Sequence, residues 1–305
     1  MTTATPTRGT VRERPDEPRT TQRGTTRRRA RPGTVTATVA ALVAAVVWVF
    51  PVYWMVNTSL LPRTQVQSRT PTFFSTDAGL FNYAAVLEGD SFLSALRMSL
   101  VVTLSTVLLV LVFAFLAALA ISRFRFRGRK AFVVALLFIQ MLPAEGLFIA
   151  QYRMLSSAEL LNTAIGVTVL YTAAVVPFTV WMLRGFVAGV PAELEEAAMV
   201  DGLSRTGAFL RITFPLLAPG LVAAGVYAFL QAWNEFTIAL VALPSNRAET
   251  LPLWLRGFLN SSVSEGVNWG EVMAASTLIA VPVIVFFLVV QGRMTGGLVS
   301  GAVKG

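Results

Sequence analysis

Neither histidine nor cysteine occurs among the 305 residues, which excludes imidazole and thiolate nucleophiles, a Ser-His-Asp triad, disulfides and His/Cys zinc sites. The side chains still able to do chemistry are acids and amides set in apolar surroundings. Gln140 and Glu145 fall in one apolar run, and Gln231, Trp233, Asn234 and Glu235 form the string "QAWNEF" in another. An ionisable group at membrane depth costs about 2.5 to 3.5 kcal/mol near the bilayer centre, so its presence is a functional expectation by default. Polar side chains beside an aromatic platform would suit a hydroxyl-bearing ligand. The same residues would equally serve gating, subunit packing, contact with a partner protein or, for Glu235, a headgroup position. No metal-ligating residues are expected.

These residues need elements to hold them, and the composition says which kind. Hydrophobic residues make up 55% of the chain and charged ones 13%, with a mean hydropathy of +0.66. That balance describes an integral membrane protein rather than a water-soluble enzyme. At about 20 residues per crossing, six apolar spans are expected, near 34–56, 98–122, 131–152, 162–183, 216–242 and 272–292. The expected fold is an all-α polytopic bundle over residues 34–305. Strand-like alternation is absent from the sequence. The first span ends in "WVFPVYWMV", whose Trp and Tyr suit a membrane interface, and is too long for a cleaved signal segment. Residues 57–97 read as an external loop with one short helix. Glu145 and Glu235 lie about 21 Å and about 30 Å from the internal end of their spans, in the outer half. Glu145, between Pro143 and Gly146, also reads as a helix break facing water.

Charge sets the orientation. Residues 1–33 hold nine Arg against three acids and few large apolar side chains, so they read as a disordered tail serving topology. With that tail internal, the internal segments also hold five basic residues in "RFRFRGRK" (123–130), Arg184, Arg205, Arg211, Arg293 and Lys304. The external segments hold six. Both termini are therefore expected in the cytoplasm. High Ala, Val and Arg usage suggests a bacterium of high genomic GC content, hence a bacterial cytoplasmic membrane.

The internal segment 184–215, "RGFVAGVPAELEEAAMVDGLSRTGAFLRITFP", is too long for a simple connection. Pro191 suits a first helical turn, Glu193, Glu195 and Glu196 favour the positive end of a helix, and Gly202 can supply a left-handed stop. A helix of about ten residues is expected. Ser204 is a plausible N-cap for a second piece through Phe209 and Ile212, which Pro215 terminates or kinks. Small Ala197 and Ala198 let another backbone approach, and Leu194 with the nearby acids offers apolar contact and charge. A docked partner protein and an interfacial hairpin on the bilayer both fit this pattern.

The string Glu196-Ala197-Ala198, followed by Asp201-Gly202, Ile212, Pro215 and Pro219, resembles the EAA loop of membrane subunits of binding-protein-dependent ABC importers; Phe214 stands where Leu is usual. The flanking "LLNTAIGVTVLYTAAVVPFTVWMLRGF", "QAWNEFTIAL" and terminal "GLVSGAVKG" resemble the MalG-like subunit of maltose-type sugar importers over roughly residues 35–305. The resemblance implies a permease subunit for a sugar or related polyol. Its implied partners are a second, non-identical membrane subunit, two cytoplasmic ATPases and an extracytoplasmic sugar-binding protein. It assigns Glu196, Ala197, Ala198, Asp201, Gly202, Ile212 and Pro215 to ATPase coupling, with the terminal string also internal and near the ATPases. The chain has no G-x-x-x-x-G-K-[ST] phosphate loop, so ATP and magnesium belong to the partner chains and no cofactor is expected here.

Other function classes fit less well. An ion-driven secondary transporter would place charged relays near the midplane and carry inverted repeats. The Arg-rich tail lacks aromatic interleaving and a folded reading motif, so nucleic acid is not an expected partner. An intramembrane enzyme would need His, Cys or paired midplane carboxylates.

Overall fold

The computed structural model describes residues 32–88, 90–245, 248–261 and 266–299, all of whose regular elements are helical. The Arg-rich tail, apart from Pro32 and Gly33, and Ser300–Gly305 lie outside those residues. The chain divides at Pro51, within helix α1 (Pro32–Leu60), into two units. The described part of the first unit is a single apolar run of that helix. The second unit holds everything from Pro51 onward.

Five helices are long and apolar enough to cross a bilayer: 36–60, 91–123, 164–189, 205–234 and 269–292. They belong to α1, α4 (Asp90–Arg123), α7 (Ala164–Gly189), the run ending in α10 (Phe214–Asn234), and α13 (Trp269–Val299). Hydrocarbon offers backbone groups no partner, so apolar spans of this length become helices whose hydrogen bonds close internally. Pro51, Pro177, Pro219 and Pro282 are accommodated inside them.

Two expected spans are interrupted. The third is a bent pair, Arg129–Gln140 and Glu145–Ser157, turning by 93°; counted as one span, it makes the sixth. Pro143 disfavours helix at the preceding residue and lacks an N–H, so the expected span over 131–152 stops at Gln140 (α5), just before the helix break read at Glu145. It resumes as a 3-10 turn at Ala144–Leu147 and helix α6 (Phe148–Ser157). The fifth ends at Asn234 because Glu235 adopts extended backbone (ψ 127°), and residues 237–242 form a separate helix, α11. At its other end this span begins earlier than expected. Helix α9 (Arg205–Ala208) and a π turn (Phe209–Thr213) run on into α10, so Pro215 does not stop the helix. It falls within the first two residues of α10, after a widened turn that tolerates a missing donor.

The core of the second unit is the contact of α4, α7 and α10. Ala114 and Ala118 of α4, and Gly220, Ala224 and Ala228 of α10, recur every four residues and so share one helix face. Such small-residue faces let backbones approach, which drives helix association where lipid removes the hydrophobic difference. Val180, Leu183 and Val187 of α7 fill the space between them. Toward the opposite end the core becomes aromatic: Phe286, Phe229 and Trp233 stack at 3.9 Å and 5.7 Å between successive centroids. Beside them Trp254 of α12 (Leu251–Ser261) meets Phe92 edge-on at 5.1 Å. Buried Asn82 of α3 (Phe81–Leu87) donates from Nδ2 to the carbonyls of Ser59 and Leu61, satisfying the end of α1.

Gly220 is the tightest point of the α7–α10 contact: an added Cβ would lie 2.5 Å from Cγ and 2.9 Å from Cβ of Phe186. Those atoms lie near the ring's root and cannot swing clear. Gly220→Leu is expected to cost about 1–3 kcal/mol, the range for overpacking, and to lower the thermal midpoint of the purified protein in detergent. Adding Phe186→Ala should recover part of the loss; an unchanged midpoint for the single variant would refute this account of the packing.

Candidate coupling site and pathway residues

Segment 184–215 folds into helix α8 (Glu193–Val200), a tight turn and α9. The turn at Gly202 is a complete Schellman motif. Leu203 N–H donates to Ala198 O at 3.0 Å and Gly202 N–H to Met199 O at 3.1 Å. Gly202 has φ +93°, and no atom lies within 4 Å of where its Cβ would stand. Backbone conformation rather than space therefore calls for glycine here. Ser204 then caps α9, its Oγ accepting from Gly207 N–H at 3.1 Å.

One side chain fixes this hairpin to the bundle, and it is Glu195. Its Oε1 pairs with Arg123 Nη2 at 3.2 Å, at the last residue of α4, and accepts from Thr213 Oγ1 at 2.7 Å. The same Arg123 nitrogen donates to Val190 O at 3.1 Å. The Glu195 carboxylate thus joins α8 to the end of α4 and to the π turn that leads into α10, and Arg123 extends the link to Val190 at the end of α7. The pair is mostly shielded, with 19% and 17% of the two side chains exposed, so solvent screens it less than a surface ion pair.

The other residues of the loop divide by exposure. Glu196 and Ala197 are exposed, as are Asp201 and Gly202, while Ala198 is buried against the bundle. Val200 is 87% exposed and Leu194 and Met199 are partly so, leaving an apolar edge beside the acids. Ile212 is half-buried in the π turn and Pro215 is exposed. A cleft of about 230 Å³ between α4 and α9 is lined by Arg123, Glu195, Arg205 and Phe209.

The expected pathway residues are not brought together. Trp233 is 2% exposed within the aromatic stack, and its Nε1 has no protein hydrogen-bond partner. The Glu235 carboxylate caps α11: Oε1 accepts from Ile238 N–H at 2.9 Å and Oε2 from Ala239 N–H at 3.1 Å. Its backbone carbonyl accepts from Tyr171 Oη at 3.1 Å. Asn234 is exposed but donates to Leu230 O, and Gln231 is exposed. Gln140 and Glu145 are exposed at the break between α5 and α6. Glu235 is therefore a helix cap, a role that its extended backbone creates and that no apolar periodicity announces.

Reasoning from sequence also missed Glu195, Arg123 and Thr213. The available signal was three acids in one helical turn of α8 facing an arginine at the end of an apolar run. Near α12, Glu249 lies in a pocket of about 300 Å³ with Arg256 and Asn260, and burial raises its carboxyl pKa.

Residues 110–295 match the family described as binding-protein-dependent transport system inner membrane component. The chain is 42% identical over 273 residues to the diacetylchitobiose uptake system permease protein DasC of Streptomyces coelicolor, covering 90% of this chain and 98% of that one. It is 34% identical to the trehalose transport system permease protein SugB of Mycobacterium tuberculosis, over 84% and 92% of the two chains. It is 31% identical to the trehalose/maltose transport system permease protein MalG of Thermococcus litoralis, over 88% and 95%. Among solved structures, a chain of a bacterial ABC transporter involved in the import of the acidic polysaccharide alginate shares the fold. Its TM-score is 0.71 at 23% identity, over 85% of this chain and 95% of that one. With this much of its length accounted for, a helical bundle without a phosphate loop takes its place in the family: the chain is a binding-protein-dependent transport system inner membrane component, the membrane-spanning permease and not the ATPase.

Proposed function

We propose that this permease passes a neutral sugar, or a related polyol, through the cytoplasmic membrane of a bacterium, driven by ATPase chains that dock on α8. The sugar class rests on the relatives, whose names specify diacetylchitobiose, trehalose and maltose. Docking rests on one observation above all: Glu195 ties α8 to Arg123 of α4 and Thr213 at the base of α10, while Glu196, Ala197 and Val200 are exposed for contact. Displacement of α8 by a docked ATPase would then pull on two spans at once.

In this reading the loop end of the bundle and both termini are cytoplasmic, in keeping with the lysine and arginine distribution. Glu196 supplies a charged contact, Ala197 and Ala198 the close approach, and Gly202 with Asp201 the turn. Ile212 and Pro215 set the join to α10. ATP and magnesium reside on the ATPases. A second, non-identical membrane subunit completes the pathway, and an extracytoplasmic binding protein delivers the sugar on the opposite side. Gln231, Asn234, Gln140 and Glu145, all exposed, are the polar groups offered to that pathway.

Affinity purification of the natively expressed chain from detergent-solubilised membranes, with mass spectrometry, tests the assembly. The intact chain should recover an ATPase and a second membrane subunit. Glu196→Lys with Gly202→Val should lose the ATPase alone, and recovery of the chain by itself in both samples would overturn the proposal. Gly202→Val singly forces a β-branched residue into a left-handed backbone, a penalty of about 1–2 kcal/mol. Sugar uptake should fall at least about tenfold with membrane insertion preserved, and normal uptake would remove Gly202 from coupling.

Removing the tether has a sharper signature. Glu195→Gln should reduce ATP-driven uptake and loosen the hairpin by about 1.5–3 kcal/mol, the worth of hydrogen bonds to a charged group. Glu195→Arg combined with Arg123→Glu should restore uptake relative to either single change. A charge-swapped pair no better than its parents would mean that the ion pair is incidental.

A further inference from the structure

At the end of the bundle opposite α8, where α1 finishes and α13 begins, lies a pocket of about 310 Å³ that takes no part in coupling. Its wall includes Trp54 and Thr58 of α1, Gln65 of α2 (Arg63–Val66), Ser68, Thr70 and, from α13, Trp269. No charged side chain lines it. The volume falls at the lower end of the range for small-molecule sites, about 300–1,000 Å³.

The walls are held in advance. Tyr53 Oη donates to Phe73 O, Asn57 Nδ2 donates to Thr72 O at 2.8 Å, and Trp54 meets Phe73 edge-on at 5.4 Å. These contacts pin the segment carrying Ser68 and Thr70 to α1. Arg63 Nη2 donates to Gly266 O at 3.0 Å, which holds the approach to α13 beside α2. Preset walls lower the ordering cost of binding.

Two polar atoms of the wall residues have no protein partner. Thr58 is 7% exposed and its Oγ1 is buried without a hydrogen bond, as is Gln65 Oε1. The Gln65 amide is oriented by its Nε2, which donates to Asp77 Oδ2 at 3.0 Å, so Oε1 remains an acceptor. Buried polar atoms are almost always hydrogen-bonded, so both require a partner that the chain does not provide. Both residues belong to the pocket wall, so each orphaned oxygen lies on a side chain that borders the space.

A ligand for this wall is uncharged, carries both donors and acceptors, and has apolar faces to lie against tryptophan. We propose that the pocket is a binding subsite for a neutral saccharide ring, at the face where sugar arrives. It rests on the reading of the chain as a sugar permease.

The test is titration of trehalose, maltose and N,N′-diacetylchitobiose into the full chain in lipid nanodiscs, followed by isothermal calorimetry. At least one should bind saturably, and glucuronate, a charged ring, should not. Thr58→Val keeps the shape and removes the hydroxyl. It should weaken binding about tenfold, the effect of one lost hydrogen bond. Trp269→Ala, at a side chain 49% exposed, should weaken it comparably and carries the test if Thr58→Val does not insert. Absence of saturable binding for all three sugars, or equal affinity in every inserted variant, overturns the subsite. ATP-driven uptake by cells carrying the intact chain separates the two claims. Uptake without pocket-dependent binding sinks the subsite alone; pocket-dependent binding without uptake of any of the three sugars sinks the transport reading and leaves the subsite standing.

Discussion

A backbone N–H or C=O facing hydrocarbon has nothing to bond to, and the organisation of this permease follows from how that demand is met wherever a helix stops. Continuous spans meet it internally. The break after Asn234 cannot, and three other parts of the chain supply what is missing. The Glu235 carboxylate accepts from two N–H groups at the start of α11. Tyr171 of α7 donates to the Glu235 carbonyl. At the far end of α11, Asn162 N–H donates to Ala242 O at 2.9 Å, and Asn162 Oδ1 accepts from both the backbone and the hydroxyl of Ser245. A helix of six residues, unstable alone, is thus capped at its start by the adjoining Glu235 carboxylate and held at its end by the Asn162 backbone N–H.

The same economy governs the other end of the bundle. Helix α8 has eight residues and one buried alanine, so packing alone holds it weakly. Its position comes from a turn and a charge: the Schellman motif at Gly202 fixes its direction relative to α9, and Glu195 fixes it to α4 and α10. The tether is an ion pair with one hydroxyl donor, partly screened, rather than a dry aliphatic contact. The widened turn at Phe209–Thr213 lies directly behind it. Thr213 thus links α8 to the start of α10 at the point where that helix is least regular.

Much of this was legible in the sequence because hydrocarbon imposes a length and a composition. The helical class and the family could be read from apolar runs and from the spacing of Glu196, Ala197, Ala198 and Gly202, whereas the six expected spans become five long helices and a bent pair. Gly202 could be assigned a left-handed turn because few residues accept one. What could not be read depends on contacts distant in sequence. Arg123 and Glu195 are 72 positions apart in the numbering, and either alone looks like an ordinary flank residue. Glu235 read as a candidate sugar contact because an acid in an apolar run carries no label saying which backbone groups it will cap. The 93° bend in the third span follows from Pro143, yet proline inside α7 or α10 leaves those helices continuous. Local rules do not separate the cases; the packing around each proline does.

That difference has a physical origin in what surrounds each segment. Pro177 of α7 is buried, with α4 and α10 packed along its helix, and neighbouring side chains confine the helix to one course. Residues of α5 and the following turn are largely exposed, and α5 touches the core only through half-buried side chains such as Val133 and Leu136, so packing opposes little of the direction that Pro143 and Gly146 favour. The rigid part of the permease is accordingly the α4–α7–α10 core, where alanine and glycine bring backbones close, and the exposed α5–α6 elbow is packed more lightly. A transporter needs both properties. The Glu195 tether ends on that core, at Arg123 of α4 and at Thr213 beside α10, where the backbones lie closest, while the elbow between α5 and α6 has few contacts to hold its angle.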